Sequence, residues 1–148
     1  MMDALALLKT DHKKVAELFE QAKQTEGTKE QWILFGKIKR ELEVHTHIEE
    51  TVFYPKLRQY EELQDMVLEA YEEHKQVKTL IREIEGLVED SDKLAAKLKV
   101  MGENVEHHVD EEENDMFPEV RTVMSEEELE ELGAQLRAAK KARLSAAA

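Results

Sequence analysis

Apolar residues recur every three or four positions through several long stretches of the chain, and this is the spacing of one face of an α-helix. The first such stripe runs Leu5, Leu8, Val15, Phe19, Ala22. The stripes predict four long helices, over about residues 3–24, 28–54, 61–88 and 93–117, and a fifth over 126–143. Helix-forming residues dominate and runs of β-branched residues are absent, so the predicted fold class is all-α.

The predicted helices carry recognisable end signals. Asp3 can cap the first helix, and capping boxes at Thr28–Gln31 and Ser125–Glu128 can start the second and the fifth. Pro55 and Pro118 are expected to end the second and fourth helices, because the residue before a proline disfavours helical geometry.

Six ionisable residues interrupt the apolar stripes at positions that should face the core. They are His12, His45, Glu49, His74, His108 and Glu112. Burying such groups is unfavourable unless they are paired or bind a metal. Antiparallel neighbouring helices would bring all six to one level of a bundle, which makes them the candidate metal ligands.

The same arrangement occurs twice along the chain. The segment DHKKVAEL at 11–18 resembles EHKQVKTL at 73–80, and each half contains a His-x-x-x-Glu pair followed by an aromatic residue and a proline. Two similar helical hairpins with short connections favour an up-down-up-down four-helix bundle. We therefore predict this bundle over residues 1–123, with a short fifth helix and a tail in residues 124–148.

Four imidazoles and two carboxylates suit a pair of metal ions, since imidazole donates neutral nitrogen and a carboxylate can bridge two ions. Iron is the preferred metal for such a mixed set in a helix bundle, with manganese and zinc as alternatives. The ferritin-like di-iron pattern is disfavoured, because it requires Glu-x-x-His motifs rather than His-x-x-x-Glu.

Four further ionisable residues lie next to these positions in the sequence. His47 is two positions past His45, about 200° around the helix, and should face outward. His107 lies about 100° off its stripe and should be a flanking residue. Glu50 and Glu113 each follow a candidate ligand glutamate and match each other in the repeat, so direct and water-mediated binding to the metal both remain open for them.

The composition of the chain excludes several kinds of partner and of functional site. A net charge of −13 argues against nucleic acid and anionic membrane surfaces as partners. The absence of cysteine excludes disulfides, thiolate metal sites and a cysteine nucleophile. No signal peptide and no run of about 20 apolar residues is visible, so we expect a soluble, cytoplasmic protein, and a monomer.

In this order and spacing, and with the FYP and MFP endings, the six candidate ligands resemble those of the hemerythrin-like family, also known as HHE cation-binding domains. The resemblance covers about residues 3–123. It implies a four-helix bundle around two iron ions that share an oxo or hydroxo bridge and carboxylate bridges. Glu49 and Glu112 would be those carboxylate bridges. The resemblance places His12 and His45 in one group of ligands, and His74 and His108 in the other.

The third helix departs from the oxygen-carrying hemerythrins that the pattern resembles. Those proteins have a fifth histidine, in a His-x-x-x-His pair, whereas here Ala70 and Lys78 stand four positions before and after His74. Reversible oxygen carriage is therefore not expected. Tyr71, one turn before His74, could face the metal ions and replace the missing ligand or gate access to them, or it could be an ordinary core aromatic residue.

Two function classes follow from the resemblance. In the first, the protein handles dioxygen, hydrogen peroxide or nitric oxide as a small-molecule ligand, with catalase-like peroxide decomposition as the implied enzyme activity. In the second, it is an iron- or oxygen-responsive binding or storage module without turnover. Sensor members usually carry extra signalling domains and this sequence shows none, which favours the first class.

Overall fold

A computed structural model describes residues 2–147 and shows a protein built from helices. The helices are α1 (Ala4–Gln24), α2 (Thr28–Ile48), α3 (Tyr54–Leu57), α4 (Gln64–Glu85), α5 (Leu94–Glu111), α6 (Phe117–Val123) and α7 (Glu126–Ala147). These residues form no strand, so the all-α prediction is confirmed. None of the helices described here is long and apolar enough to cross a membrane.

Four of the long helices form two hairpins. α1 packs against α2 across the connection 25–27, and α4 packs against α5 across residues 86–93. α1 also packs along α5, which joins the two hairpins into the predicted four-helix bundle.

The start of α2 differs from the prediction. Asp3 caps α1 as expected, and its carboxylate accepts a hydrogen bond of 2.8 Å from the Ala6 amide. At α2, however, Gly27 is the cap residue and no side chain caps the helix, so the predicted Thr28–Gln31 capping box is wrong. Thr28 is already the first helical residue, which is one position too late for its hydroxyl to act as a cap.

Neither proline ends its helix. A π-helical turn follows α2 at Glu49–Phe53, another follows α5 at Glu112–Met116, and the chain then returns to α-helix in α3 and α6. Pro55 and Pro118 lie in the first turn of α3 and α6, where a missing N–H and a fixed φ are tolerated. The predicted ends at these prolines are therefore wrong.

The third predicted helix is too long at its C-terminal end. α4 ends at Glu85 with Gly86 as its cap residue, and Val88 is 69% exposed. Glycine is a poor helix former, so the helix stops before the last apolar position of the predicted stripe.

The core consists of two apolar clusters with a polar layer between them. Along α1, Leu8 belongs to one cluster and Val15 to the other, with His12 between them. The same order holds along α4, where His74 separates Ala70 from Val77. The first cluster also contains Ile48, Phe53, Tyr54, Leu57 and Phe117, and the second contains Phe19, Phe35, Ile38, Leu42 and Met101. The polar layer therefore crosses the middle of the bundle.

The C-terminal helix is longer than predicted. α7 has 22 residues and reaches Ala147, whereas a short helix ending at residue 143 and a tail were expected; Ala148 lies outside the described residues. The predicted Ser125–Glu128 capping box is present, with Ser125 Oγ accepting from the Glu128 amide at 3.1 Å. Leu129, Leu132 and Leu136 are buried in the first apolar cluster, because α7 packs against α1 and α2. This helix is thus part of the same core.

Candidate metal centre

The structure brings all six predicted ligands together in the polar layer. Each side chain is buried, with residue exposures between 0% and 7%. They come from α1 (His12), α2 (His45), the first π-turn (Glu49), α4 (His74), α5 (His108) and the second π-turn (Glu112). The helical stripes therefore predict correctly which way these side chains face.

The two glutamates lie between the histidine Nε2 atoms. Glu49 Oε1 is 3.1 Å from His45 Nε2 and 3.2 Å from His74 Nε2. In the other half, Glu112 Oε1 is 3.1 Å from His12 Nε2, and Glu112 Oε2 is 3.3 Å from His108 Nε2. Each carboxylate therefore contacts one histidine from each hairpin, as a bridging carboxylate between two ions would.

The ligand atoms fall into two overlapping groups. One consists of His12, His45, Glu49 and Glu112, and the other of Glu49, His74 and His108, with one donor atom of each residue within 4.8 Å of the others. The rings are paired in the same way, with centroids 4.8 Å apart for His12 and His45 and 4.9 Å apart for His74 and His108.

Several of these inward atoms make no hydrogen bond of acceptable geometry, although some lie only 3.1 Å from another atom of the layer. They are His12 Nε2, His45 Nε2, both oxygens of Glu49 and Glu112 Oε1. Buried polar atoms are nearly always satisfied by protein, water or an ion. Nitrogen and carboxylate donors that converge without hydrogen bonds fit metal ions, so the chemistry of this donor set agrees with a cation-binding role.

A second ring of carboxylates holds the opposite nitrogen of each histidine. The contacts to Nδ1 are Asp11 with His45 (3.0 Å), Glu113 with His12 (2.6 Å), Glu50 with His74 (2.7 Å) and Glu73 with His108 (2.7 Å). Such partners fix the tautomer and the orientation of a metal-binding histidine. Glu50 and Glu113, for which direct binding was open, thus lie on the outer side of the imidazoles.

The four outer carboxylates follow the internal repeat. Asp11 and Glu73 each precede the lone histidine of their hairpin and contact the other histidine of the same hairpin. Glu50 and Glu113 each contact the lone histidine of the opposite hairpin. Asp11 and Glu73 are not among the residues predicted for the site. Their matched positions in the two repeats could have indicated that they belong to it.

Two lysines contact this outer ring. Lys78 Nζ donates to both oxygens of Glu50 at 3.0 and 2.9 Å, and Lys140 of α7 donates to Asp11 Oδ1 at 2.5 Å. Burial opposes the charge of Glu50, but His74 and Lys78 outweigh it and lower the pKa of Glu50 to about 2. Both outer carboxylates are therefore held in their charged form.

Tyr54 is a site residue that the sequence analysis missed. Its hydroxyl donates to Glu112 Oε2 at 2.5 Å and lies 3.3 Å from His74 Nε2 and 3.5 Å from His108 Nε2. Burial and the charge of Glu112 raise its pKa well above the usual value, so the phenol keeps its proton. Tyr71, for which a place at the metal and an ordinary place in the core were both open, donates to the backbone carbonyl of Glu50 and packs against the first apolar cluster.

The carboxylates strongly favour protonated histidines when no metal is bound. Burial alone would lower the pKa of His45, but Glu49 and Asp11 outweigh it and raise this pKa to about 10. In the same way, Glu112 and Glu73 outweigh burial and raise the pKa of His108 to about 11. Positive charge therefore stabilises the layer strongly, whether it comes from protons or from metal ions.

The layer also contains a small apolar cavity. Its volume is about 20 Å³, which is room for roughly one water-sized molecule. All four site histidines line it, together with aliphatic side chains that include Val15, Leu42, Val77, Val105 and Val109.

His47 and His107 lie outside the layer, as expected. His47 is half-buried and lines a surface groove between α2 and α4. The side chain of His107 is 68% exposed and lies 2.9 Å from Glu111 and 3.8 Å from Glu73.

Comparisons with known proteins agree with this geometry. A family model described as the hemerythrin HHE cation-binding domain matches residues 3–120. The crystal structure of an HHE cation-binding domain protein from Mycobacterium kansasii superimposes with a TM-score of 0.82 at 28% identity, covering 95% of this chain and 86% of that one. A Nostoc protein named as a DNA nickase is 28% identical over 139 residues, which is 94% of this chain but 39% of that protein. The chain thus spans about two fifths of that relative's length.

Proposed function

The chain belongs to the hemerythrin HHE cation-binding family, and from this premise we propose that its polar layer holds two iron ions bridged by Glu49 and Glu112. One ion would bind His12 and His45, and the other His74 and His108. The proposal is supported by the two overlapping ligand groups that share Glu49 and by the buried donor atoms without hydrogen bonds.

The charges around the layer support two divalent ions. Six carboxylates contact the four histidines, and two lysines contact those carboxylates. The carboxylates are Glu49, Glu112, Asp11, Glu50, Glu73 and Glu113, and the lysines are Lys78 and Lys140. With neutral imidazoles, six negative and two positive charges leave −4. Two divalent cations would balance that charge, whereas a single one would leave −2 to be balanced by protons on the histidines.

The apolar cavity supports a small, uncharged ligand. It touches all four histidines and has aliphatic walls, so it excludes charged or large substrates by size and polarity. Dioxygen and nitric oxide fit these limits best, and hydrogen peroxide, which is polar, meets the limit on charge. This cavity is the observation that carries the proposal of an oxidant-handling protein.

Tyr54 supports peroxide chemistry at the opposite side of the layer. Iron ions bound here would supply or accept the electrons of a peroxide reaction. The phenol keeps its proton and donates it as a hydrogen bond to Glu112 Oε2, which provides a hydrogen-bond donor beside the ions without bulk water. Its oxygen is also close enough to His74 and His108 to serve as a further ligand atom. We therefore propose catalase-like decomposition of hydrogen peroxide as the activity, with a binding or storage module without turnover as the alternative.

Nucleic acid is not part of this proposal. The nickase name belongs to a relative of which this chain covers only 39%, and a net charge of −13 opposes binding to a phosphate backbone.

Metal analysis and a peroxide assay test the proposal. We expect two iron ions per chain, near-ultraviolet iron bands, and release of oxygen when peroxide is added. His47→Ala is the control, since His47 is only two positions past His45 in the sequence but lies outside the layer. Bands without oxygen release would support the binding module instead. One ion per chain, or zinc alone after growth with ample iron, would refute the di-iron assignment.

A further inference from the structure

A second pocket leads from the surface to the metal layer beside α4, α5 and the second π-turn. Its volume is about 170 Å³. The carboxylates that line it are Glu69, Glu73, Glu111, Glu112 and Asp115. Burial increases inward: Glu69 and Asp115 are exposed, Glu73 and Glu111 are half-buried, and Glu112 is 1% exposed. The pocket thus connects solvent to the layer through oxygen donors.

Two of the pocket's carboxylates, Glu73 and Glu111, form a group of potential ligands with the neighbouring His107. One donor atom each of His107, Glu73 and Glu111 lie within 4.8 Å of one another. Nitrogen and carboxylate donors suit Fe²⁺, as they do in the buried layer. Because the His107 side chain is 68% exposed, water can complete the coordination, and binding there should be weak and exchangeable.

Glu73 connects this outer group to the layer. Its Oε1 accepts from His108 Nδ1 at 2.7 Å, while its Oε2 lies 3.8 Å from His107 Nε2. Deeper in the pocket lie His108 and Glu112, and Glu112 is only 1% exposed. A cation leaving the outer group therefore meets further nitrogen and carboxylate donors at the inner end.

The groove between α2 and α4 is mixed in charge. Three basic side chains, Lys78, Arg82 and Arg143, line it together with the carboxylates of Glu43, Glu50 and Glu85. The ammonium of Lys78 already occupies both oxygens of Glu50, so a metal cation would meet like charge there. By contrast, none of the described residues that line the acidic pocket is a lysine or an arginine.

We propose that the acidic pocket is the entry route for Fe²⁺ into the layer, and that Glu73, His107 and Glu111 form a transient outer site on this route. This inference rests on the proposed dinuclear centre. A cleft lined by charge of one sign raises the association rate of the counter-ion by about 10–10³-fold. The pocket therefore governs how fast metal arrives, and the buried ligands govern how much is held.

Two double variants, each of which removes two carboxyl groups, test the route. Glu69→Gln with Glu111→Gln removes two carboxylates from the acidic pocket. The control, Glu106→Gln with Asp110→Asn, removes two from a neighbouring groove that α5 also lines. Metal-free protein is mixed with Co²⁺ at low salt and followed by its visible absorption, and the iron content after long incubation with Fe²⁺ is measured separately.

We expect the pocket variant to load at least about 10-fold more slowly than wild type, with less dependence on salt, and the control to stay within about twofold. Final iron content should be two per chain in all three proteins. Equal loading rates in the two variants would overturn the route. Failure of the wild type itself to hold two ions would instead overturn the proposed function.

The outer site has its own test. With the buried layer filled, wild-type protein should bind a third, weaker Co²⁺, and His107→Gln should lose it while keeping the other two. Absence of a third ion in the wild type, or its retention in His107→Gln, would overturn the outer site.

Discussion

Replacing Lys140 by methionine tests whether α7 supports the metal layer. Lys140 Nζ lies 2.5 Å from Asp11 Oδ1, and the other oxygen of Asp11 accepts from His45 Nδ1 at 3.0 Å. Asp11 is 4% exposed, so water does not replace a lost partner well. Methionine keeps an apolar stem of similar length, and the packing of α7 should therefore survive the substitution.

The size of the effect follows from these contacts. A hydrogen bond to a charged group contributes about 1.5–3 kcal/mol. Because the Lys140 side chain is 29% exposed, we expect the lower end, about 1.5 kcal/mol. In a domain of this size, about 1 kcal/mol corresponds to roughly 2–4 °C in Tm, so Tm should fall by about 3–6 °C. Metal affinity should fall by less than the roughly 10–100-fold expected for loss of Asp11 itself.

Thermal melts and competition with a chelator measure the two effects. The matched control is Lys14→Met, because Lys14 also binds a carboxylate, Glu41 at 2.8 Å, but its side chain is 61% exposed. That exposed pair should contribute well under about 1 kcal/mol. Equal shifts in the two variants would refute the reasoning and would mean that α7 contributes to the layer only through its leucines.

Alanine substitution tests the ligand assignment: His45→Ala and His108→Ala should each remove most of the bound metal, whereas His47→Ala should keep it, and similar losses in all three would contradict the helical phase. The metal-free protein should lose stability as pH rises, because the pKa values of His45 and His108 are raised to about 10 and 11 in the folded state from an unfolded value of 6.5. Their contribution is full below about pH 6.5 and is lost toward pH 10–11, so Tm measured with chelator should be lower at pH 9.5 than at pH 6, and a flat profile would argue against it. Tyr54→Phe should weaken metal binding by about 10–100-fold in a chelator competition, whereas Tyr60→Phe, at an exposed contact with Glu128, should not; equal affinities would exclude a role for the phenol.

The sequence predicts the inner ligands because each of them depends on its own helix alone. A helical stripe states which residues face inward, and the structure buries His12 and Glu49 where the stripe places them. The outer ring is different. Asp11 and Glu73 lie one position before an inward histidine, where a single helix predicts a solvated side chain, and only the neighbouring helix buries or engages them.

The place of Tyr54 in the layer could not be predicted, for a different reason. Tyr54 is five residues after Glu49, and in a regular α-helix that spacing places two side chains about 140° apart. The π-helical turn brings both to the layer, with the Tyr54 amide donating to the Glu49 carbonyl. Lys140 was missed because nothing in an amphipathic sequence states which helix a C-terminal segment will pack against.

The paired π-helical turns bear on the history of the chain. A π-turn is an α-helix with one additional residue. Here both turns begin at a candidate ligand glutamate and end just before an aromatic residue and a proline. Two independent insertions at matching places are less economical than one insertion in an ancestral hairpin that later duplicated. Such a hairpin would have built a symmetric site from two copies of itself. Tyr54 and Phe117, which occupy the same place in the two halves, then mark where the descendants diverged. The phenol of Tyr54 contacts the two histidines of the other hairpin, whereas the apolar ring of Phe117 stacks on His12.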